Sequence, residues 1–413
     1  MTDASRGSAL AIIRSLGRAG WRVIAADAEP RSLGSLSRYA AAEVVVPSPE
    51  HAPAAYAASI RAALAQHAVE LLIPVSDEAL HPLAAIRGEL ERSCRIAAAA
   101  PEAIAVASDK ARTFALAESL GVPIPRTRVV RSAEEAREAA RELAWPLVVK
   151  PAVSRLHQPE RGIVERFSVS YAADEGELSQ RVAGIGGRQP ILLQELCPGA
   201  GSGVELLAWR GRPLLAFQHR RLAELPITGG ASAWRESVPL DPMLYEYSRR
   251  LVAALEWTGL LMVEFKLGER PVLMEINGRV WGSLPLAVAS GVDFPRRWAE
   301  LCLDGPPPEA ALGCDYRVGV RAYDLEKLWS WIAKVALGGN PHPYLARPAR
   351  WRALQGLGAM LDPRGVSDFF AWDDLAPGLV QPARIARKWL RKSGARGPAP
   401  LRPLGARGGD QSR

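Results

Sequence analysis

The chain is poor in the features that mark secreted, membrane-spanning or metal-clustered proteins. Its four cysteines, Cys94, Cys197, Cys302 and Cys314, form no CxxC pair and show no zinc spacing, which argues against a disulfide scaffold or zinc module and fits a reduced, cytoplasmic setting. No run approaches the ~18 uninterrupted apolar residues of a membrane span. The opening stretch MTDASRGSALAIIRSLGRAG lacks the basic n-region and small-residue cleavage site of a signal peptide. No Ser/His/Asp nucleophile set stands out, and there is no internal repeat. The body carries no net positive charge. The formal net charge is +8, yet nine Lys and Arg against the single acid Asp410 fall between Gln381 and Arg413, so the tail carries the whole excess. A balanced body argues against a nucleic-acid-binding surface.

What is present is a globular composition, 48% hydrophobic and 23% charged, in 413 residues, a length that implies two or three domains. Apolar spacing predicts a helix over Ala9–Ala19, stopped by Gly20, then strands at Arg22–Ala26 and Val44–Val46. A helix over Tyr56–Gln66 and a strand near Leu71–Val75 follow, with Ser76 as the N-cap of the next helix. Strands alternating with helices imply a doubly wound parallel sheet. No strand precedes the first turn, Asp3–Gly7, so a native start a few residues upstream is expected. Further on, a helix is expected over Ala107–Leu120 with Ser108 or Asp109 as its cap, a helix over Ala133–Leu143, and a buried strand Leu147–Lys150. Residues 152–168 and Leu225–Ser237 read as loops, Pro242–Glu256 as a helix, and Val204–Arg210 with Pro213–His219 as a hairpin about Gly211-Arg212.

The most informative stretch is Leu260–Trp281. Val263, Phe265 and Leu267 alternate with Glu264 and Lys266; Val272, Met274 and Ile276 alternate with Glu275 and Asn277. Period-2 alternation makes this a hairpin with one polar face. A four-residue turn, Gly268–Pro271, sets Glu264 opposite Glu275. Facing carboxylates are destabilising unless a cation lies between them. Two carboxylates plus the Asn277 amide oxygen form a hard oxygen set that suits Mg²⁺, which commonly shares its shell with substrate phosphates. An ordinary hairpin with a solvated polar face is the plainer alternative.

In order along residues 1–305 stand S-D-K (108–110), G-V-P-I-P (121–125), P-L-V-V-K-P (146–151), L-L-Q-E (192–195), V-E-F (263–265) and M-E-I-N-G-R (274–279). The ordered set resembles the ATP-grasp superfamily, notably carboxylate–amine ligases and the carbamoyl-phosphate synthase large subunit. The resemblance implies an N-terminal doubly wound pre-ATP-grasp domain (1–105), which helps shape the substrate site. A two-lobed α+β ATP-grasp domain follows (106–305, smaller lobe 106–193, larger lobe 194–305). A mostly helical extension (306–392) and a disordered basic tail (393–413) complete the expected organisation.

The resemblance also implies roles. Lys110 and Lys150 contact the nucleotide phosphates. Gln194, Glu195 and Leu196 hold adenine. Glu205 takes the ribose role, although no acid directly follows Pro198-Gly199. Glu264, Glu275 and Asn277 hold Mg²⁺, with Mn²⁺ as a substitute. Arg279 neutralises developing charge. His219, Arg220 and Arg221 suit an acceptor carboxylate or γ-phosphate, with Lys266 and Arg235 completing the catalytic group. The phosphate loop, Ser154–Gly162, has only Gly162, with Arg155, His157 and Arg161. His51, His67 and His81 read as surface or structural residues. The implied activity is an ATP-dependent carboxylate–amine or carboxylate–thiol ligase working through an acyl phosphate on small-molecule substrates. A catalytically inactive ATP-binding regulator and a biotin-independent carboxylase are the alternatives. A Rossmann oxidoreductase is disfavoured because Ser5-Arg6-Gly7-Ser8 is not G-x-G-x-x-G. In the extension, Leu325, Leu328, Trp329, Ile332 and Val335 form one helical stripe. Such a stripe more often packs on the main body than on a membrane; with Trp389 and the basic run Arg384–Lys392 nearby, peripheral membrane contact stays open.

Overall fold

The computed structural model describes residues 1–158, 163–227, 229–307, 312–338, 342 and 345–394. The expected tail from 395 onward, and Arg161 and Gly162 of the phosphate loop, lie outside them. The fold is mixed α/β.

The N-terminal region contains two parallel strand pairs, Val23–Asp27 with Ala40–Val45 and Leu71–Leu72 with Arg95–Ile96. Met1 and Thr2 run between them. The Ala26 amide donates to the Met1 carbonyl (2.8 Å), and the Thr2 amide donates to the Ile73 carbonyl (3.2 Å). The helix Gly7–Arg18 buries Leu10, Ile12, Ile13 and Leu16. Ser76 caps Asp77–Ala84, accepting from the Ala79 amide at 3.2 Å.

The single helix expected over Ala107–Leu120 is two, Pro101–Ser108 and Lys110–Ser119. Asp109 is extended (φ −103°, ψ 110°) and its carboxylate accepts from the Ala111 and Arg112 amides. That break puts Lys110 at the start of a helix.

The smaller lobe is a four-stranded sheet in the order Thr127–Val130, Ile191–Glu195, Leu147–Pro151, Ser170–Ala172, with every pairing antiparallel. Ala136, Ala140, Leu178 and Val182, from the helices Ala133–Ala140 and Glu175–Ile185, bury one face with Val149 and Leu193. Residues 152–168 are not a plain loop. Arg155–Gln158 pairs with Ile163–Arg166 as a hairpin. Its mixed polar strands gave no alternation to read, because their charges are satisfied elsewhere. Arg155 and Arg166 both donate to Glu78 of the N-terminal region.

The larger lobe is a seven-stranded sheet in the order Pro271–Asn277, Gly259–Leu267, Ala200–Trp209, Arg212–Leu225, Ala231–Ser237, Arg321–Tyr323, Val366–Ser367, antiparallel except for the last pair. Leu206, Leu251, Trp257, Leu261, Val263, Phe265, Leu273 and Ile276 share its core with the helix Pro242–Ala254. The stretch expected as a polar loop contains the strand Ala231–Ser237. Its polar residues are buried and paired: Arg235 with Asp368, and Glu236 with Arg220 and Arg321.

The C-terminal region is built into the body. The strands Arg321–Tyr323 and Val366–Ser367 extend the large sheet, and the helices Leu325–Leu337, Arg352–Leu361 and Leu375–Gly394 accompany them. A strap returns to the first helix. Arg14 donates through Nε to Asp374 (2.8 Å) and through Nη2 to the Phe369 carbonyl (2.7 Å), with both ionic side chains almost fully buried.

Candidate functional site

A cleft of about 400 Å³ opens between the lobes. The smaller lobe supplies Val148, Lys150, Tyr171 and Gln194, with Leu196 and Cys197 just past the Ile191–Glu195 strand. The floor is the large sheet: His219, Arg221, Met262, Glu264, Lys266, Met274, Glu275 and Asn277. Lys110 and Arg279 lie where this cleft meets a smaller cavity against the N-terminal region, lined also by Asp77, His81, Ser154 and Arg155.

Glu264 faces Glu275 across the hairpin, but by a different route from the expected one. Leu267 pairs with Pro271, so the turn is Gly268–Arg270, and a bulge between Glu275 and Leu273 restores the register. The bulge also changes which residues point inward. Leu273 and Ile276 enter the core, whereas Met274 lines the cleft beside Glu275. A one-residue bulge is invisible to strict alternation.

Two glycines clear the floor. A Cβ on Gly203 would sit 2.6 Å from His219 Cε1 and 2.9 Å from Met262 Sδ; one on Gly201 would sit 2.5 Å from Glu224 Oε1. Their bareness lets long side chains from neighbouring strands lie over the central one.

The electrostatics follow from burial. Lys150 Nζ donates to Gln194 Oε1 at 2.6 Å and Lys110 Nζ to Ser154 Oγ at 2.9 Å, so both ammoniums rest on neutral acceptors. Burial pulls the Lys150 amine down to about 8, opposed by Glu275 and Glu264 and assisted by Lys110. Burial pushes Glu264 up, and the facing Glu275 adds to this while Arg221 opposes it. Burial would also raise Glu275, but Lys110, the Asn277 amide, Arg279 and Lys150 together hold it below the usual carboxylate range. Arg221 donates to Glu264 and, at 2.9 Å, to the Gly230 carbonyl. Lysines and arginines lining the cleft outnumber the acids Glu224, Glu264 and Glu275, which suits a polyanionic ligand.

As a metal site, Glu264 and Glu275 share one rung and Asn277 stands two residues past Glu275 on the same strand, an oxygen set that fits a hard divalent cation. Asn277 Nδ2 donates to Glu275 Oε1 at 3.1 Å, which orients the pair. Among the described residues no group of three or more His, Cys, Asp or Glu has the arrangement of a metal cage. A set of two carboxylates and one amide leaves room for ligand phosphates to complete a shell.

The other expected residues divide. Lys266 is at the cleft, with Nζ 3.3 Å from both Glu224 Oε2 and the Gly199 carbonyl. Arg279 donates to Asp77 Oδ2 at 3.2 Å, tying the site to the N-terminal region. The Glu195 carboxylate turns aside and accepts from the Ala144 amide at 3.0 Å, leaving only its backbone near the cleft. Glu205 is fully buried. Oε1 accepts from Ser283 at 3.0 Å and lies 2.6 Å from His219 Nδ1, beneath the floor where a ribose would not reach it. Arg235 is not in the cleft. It is 1% exposed and paired with Asp368, so a strap residue absorbs the charge expected to face an acceptor. Arg220 pairs with Glu236 on the far side of its strand.

Sequence reasoning missed several lining residues. Tyr171, Val148 and Met262 give apolar walls, and their only sequence signal was ordinary core hydrophobicity. Lys327, from the C-terminal region, reaches the rim beside Ser232, its amine paired with Asp324. His81, read as structural, lines the smaller cavity.

Comparison with known proteins supports the same grouping. A family model described as "ATP-grasp in the biosynthetic pathway with Ter operon" matches residues 187–323. The chain is similar to carbamoyl phosphate synthase large chains from Rubrobacter xylanophilus (28% identical over 218 residues, 50% of this chain) and Thermus thermophilus (29% over 225 residues, 52% of this chain). It spans only 20% and 21% of their lengths. In fold it is similar to biotin carboxylase from Campylobacter jejuni (TM-score 0.60, 16% identity, 78% of this chain and 73% of that one). It is also similar to N5-carboxyaminoimidazole ribonucleotide synthetase from Thermus thermophilus (TM-score 0.55, 17% identity, 75% and 79%). The family-model match over residues 187–323 identifies an ATP-grasp domain in the chain, the carbamoyl phosphate synthase large chains are similar to it in sequence, and the solved structures share its fold.

Proposed function

We propose that the protein is an ATP-dependent ligase joining a small-molecule carboxylate to an amine, or to a thiol, through an acyl phosphate. One observation carries this reading. Lys110 and Lys150, both buried and resting on neutral acceptors, flank the facing carboxylates Glu264 and Glu275 in a single inter-lobe cleft. Buried ammoniums without an ion-pair partner among the described residues suit phosphates, and facing carboxylates suit a cation.

On this reading Lys110 and Lys150 bind the nucleotide phosphates. The strand end at Gln194–Leu196, with Val148 and Tyr171, takes the base. His219 and Arg221 border the phosphate end. Glu264, Glu275 and Asn277 would hold Mg²⁺ or Mn²⁺, which would supply positive charge to offset that developing on the transferred phosphoryl group. Arg279, fixed between Asp77 and the Val280 carbonyl, faces both cavities and would steady charge on the acyl group as the amine attacks. Closure of the lobes would exclude water from the acyl phosphate. The N-terminal region is read as a doubly wound pre-ATP-grasp domain, supported by its two parallel strand pairs, and the protein as cytoplasmic.

The test is release of ADP and phosphate from Mg·ATP against pooled carboxylates and amines, with Glu275→Gln as the control. Turnover that needs both substrates and disappears in the variant supports a ligase. Tight nucleotide binding without turnover across a broad library would favour a regulatory nucleotide-binding protein.

A further inference from the structure

The C-terminal helix Leu375–Gly394 is fastened to the body along one side. Pro377 and Gln381 are buried, Arg384 donates to the Arg31 carbonyl, and Lys388 donates to Glu326 at 2.6 Å. Another side is bare. Leu375, Leu379 and Leu390 are 42%, 66% and 73% exposed, with Ala376, Ala383 and Ala386 exposed between them and Trp372 (86%) just ahead. Their spacing of three, four, seven and eleven residues sets them along one stripe. Exposed Arg387 and Arg391 border that stripe, and neither has an ion-pair partner among the described residues. The helix Arg352–Leu361 repeats the pattern with exposed Trp351, Leu354, Leu357 and Leu361. Exposed apolar stripes of this kind mark a place where something docks.

We propose that this face docks peripherally on an anionic lipid bilayer. Charge selects that occupant: the whole positive excess of the chain falls between Gln381 and Arg413, on and after this helix. Trp and Leu on one stripe, with arginines along its edge, are what an interfacial helix presents to acyl chains and acidic headgroups. No helix among the described residues is long and apolar enough to cross a membrane, so the helix would lie in the interface plane.

The test is flotation of the full chain with phosphatidylcholine–phosphatidylglycerol vesicles and with pure phosphatidylcholine, at low and high salt. Two double variants accompany it, Leu379→Glu with Leu390→Glu and Arg387→Gln with Arg391→Gln. All four positions are exposed, and far-UV circular dichroism together with nucleotide binding verifies the fold. The expected result is salt-sensitive binding to the anionic vesicles that weakens by about tenfold or more in each variant. Absence of binding, equal binding to neutral vesicles, or binding indifferent to both variants would overturn the proposal. So would self-association abolished by the leucine variant, which would assign the face to a second copy of the chain.

Discussion

Replacing Lys150 with arginine should flatten the pH dependence of nucleotide binding. Burial holds the Lys150 amine at about 8 in the ligand-free protein, so the side chain is charged below that pH and neutral above it. Phosphate oxygens beside it favour the charged form and keep the lysine protonated in the complex. Binding above pH 8 must then take up a proton, and affinity falls as pH rises. For one group titrating at about 8, affinity drops about tenfold between pH 7 and pH 9, or about 1.4 kcal/mol. Arginine stays charged throughout this range, so Lys150→Arg, even if weaker overall, should vary far less. Calorimetric titration of Mg·ATP at pH 7, 8 and 9, with no second substrate, measures this directly. A flat wild-type profile, or an arginine variant with the same slope, would refute the assignment of Lys150 to the phosphates.

Other substitutions separate site from scaffold. Gly203→Ala should weaken Mg·ATP binding, because its Cβ would meet His219 at 2.6 Å and overpacking costs about 1–3 kcal/mol. Gly184→Ala, a helix position with nothing within 4 Å, should leave affinity unchanged and match or raise Tm. Arg235→Met should act in the opposite sense. Removing one partner of a buried pair costs about 3–5 kcal/mol, so the urea midpoint should fall while nucleotide affinity stays within about twofold; an affinity loss without a stability loss would return Arg235 to the site.

Much of the candidate site was legible because its polar residues fall on regular strands. Glu264, Glu275 and Asn277 show in the alternation, and Lys150 ends an apolar run. What escaped reading depends on partners distant in sequence. Arg235 looked like an acceptor-binding cation until Asp368, 133 residues away, took its charge. Glu205 looked near enough to a ribose, yet its strand sends it beneath His219. The Glu264–Glu275 pairing was foreseen from a turn that does not form, since a bulge compensates for the shorter one. The strands Arg155–Gln158 and Ile163–Arg166 and the strand Ala231–Ser237 read as loops in the sequence because their charged side chains are satisfied by long-range ion pairs. The N-terminal parallel pairs were foreseen in kind. The strap to Arg14 carried no local signal, because Asp374 acquires its meaning only on meeting the first helix.

The central claim is that the γ-phosphoryl group passes through the substrate's own carboxylate. With the carboxylate identified by the release assay, it is supplied with both oxygens as ¹⁸O and the released phosphate is analysed by mass spectrometry. The account predicts one ¹⁸O atom in each phosphate formed during turnover. Unlabelled phosphate, or label found in AMP with release of pyrophosphate, would contradict it.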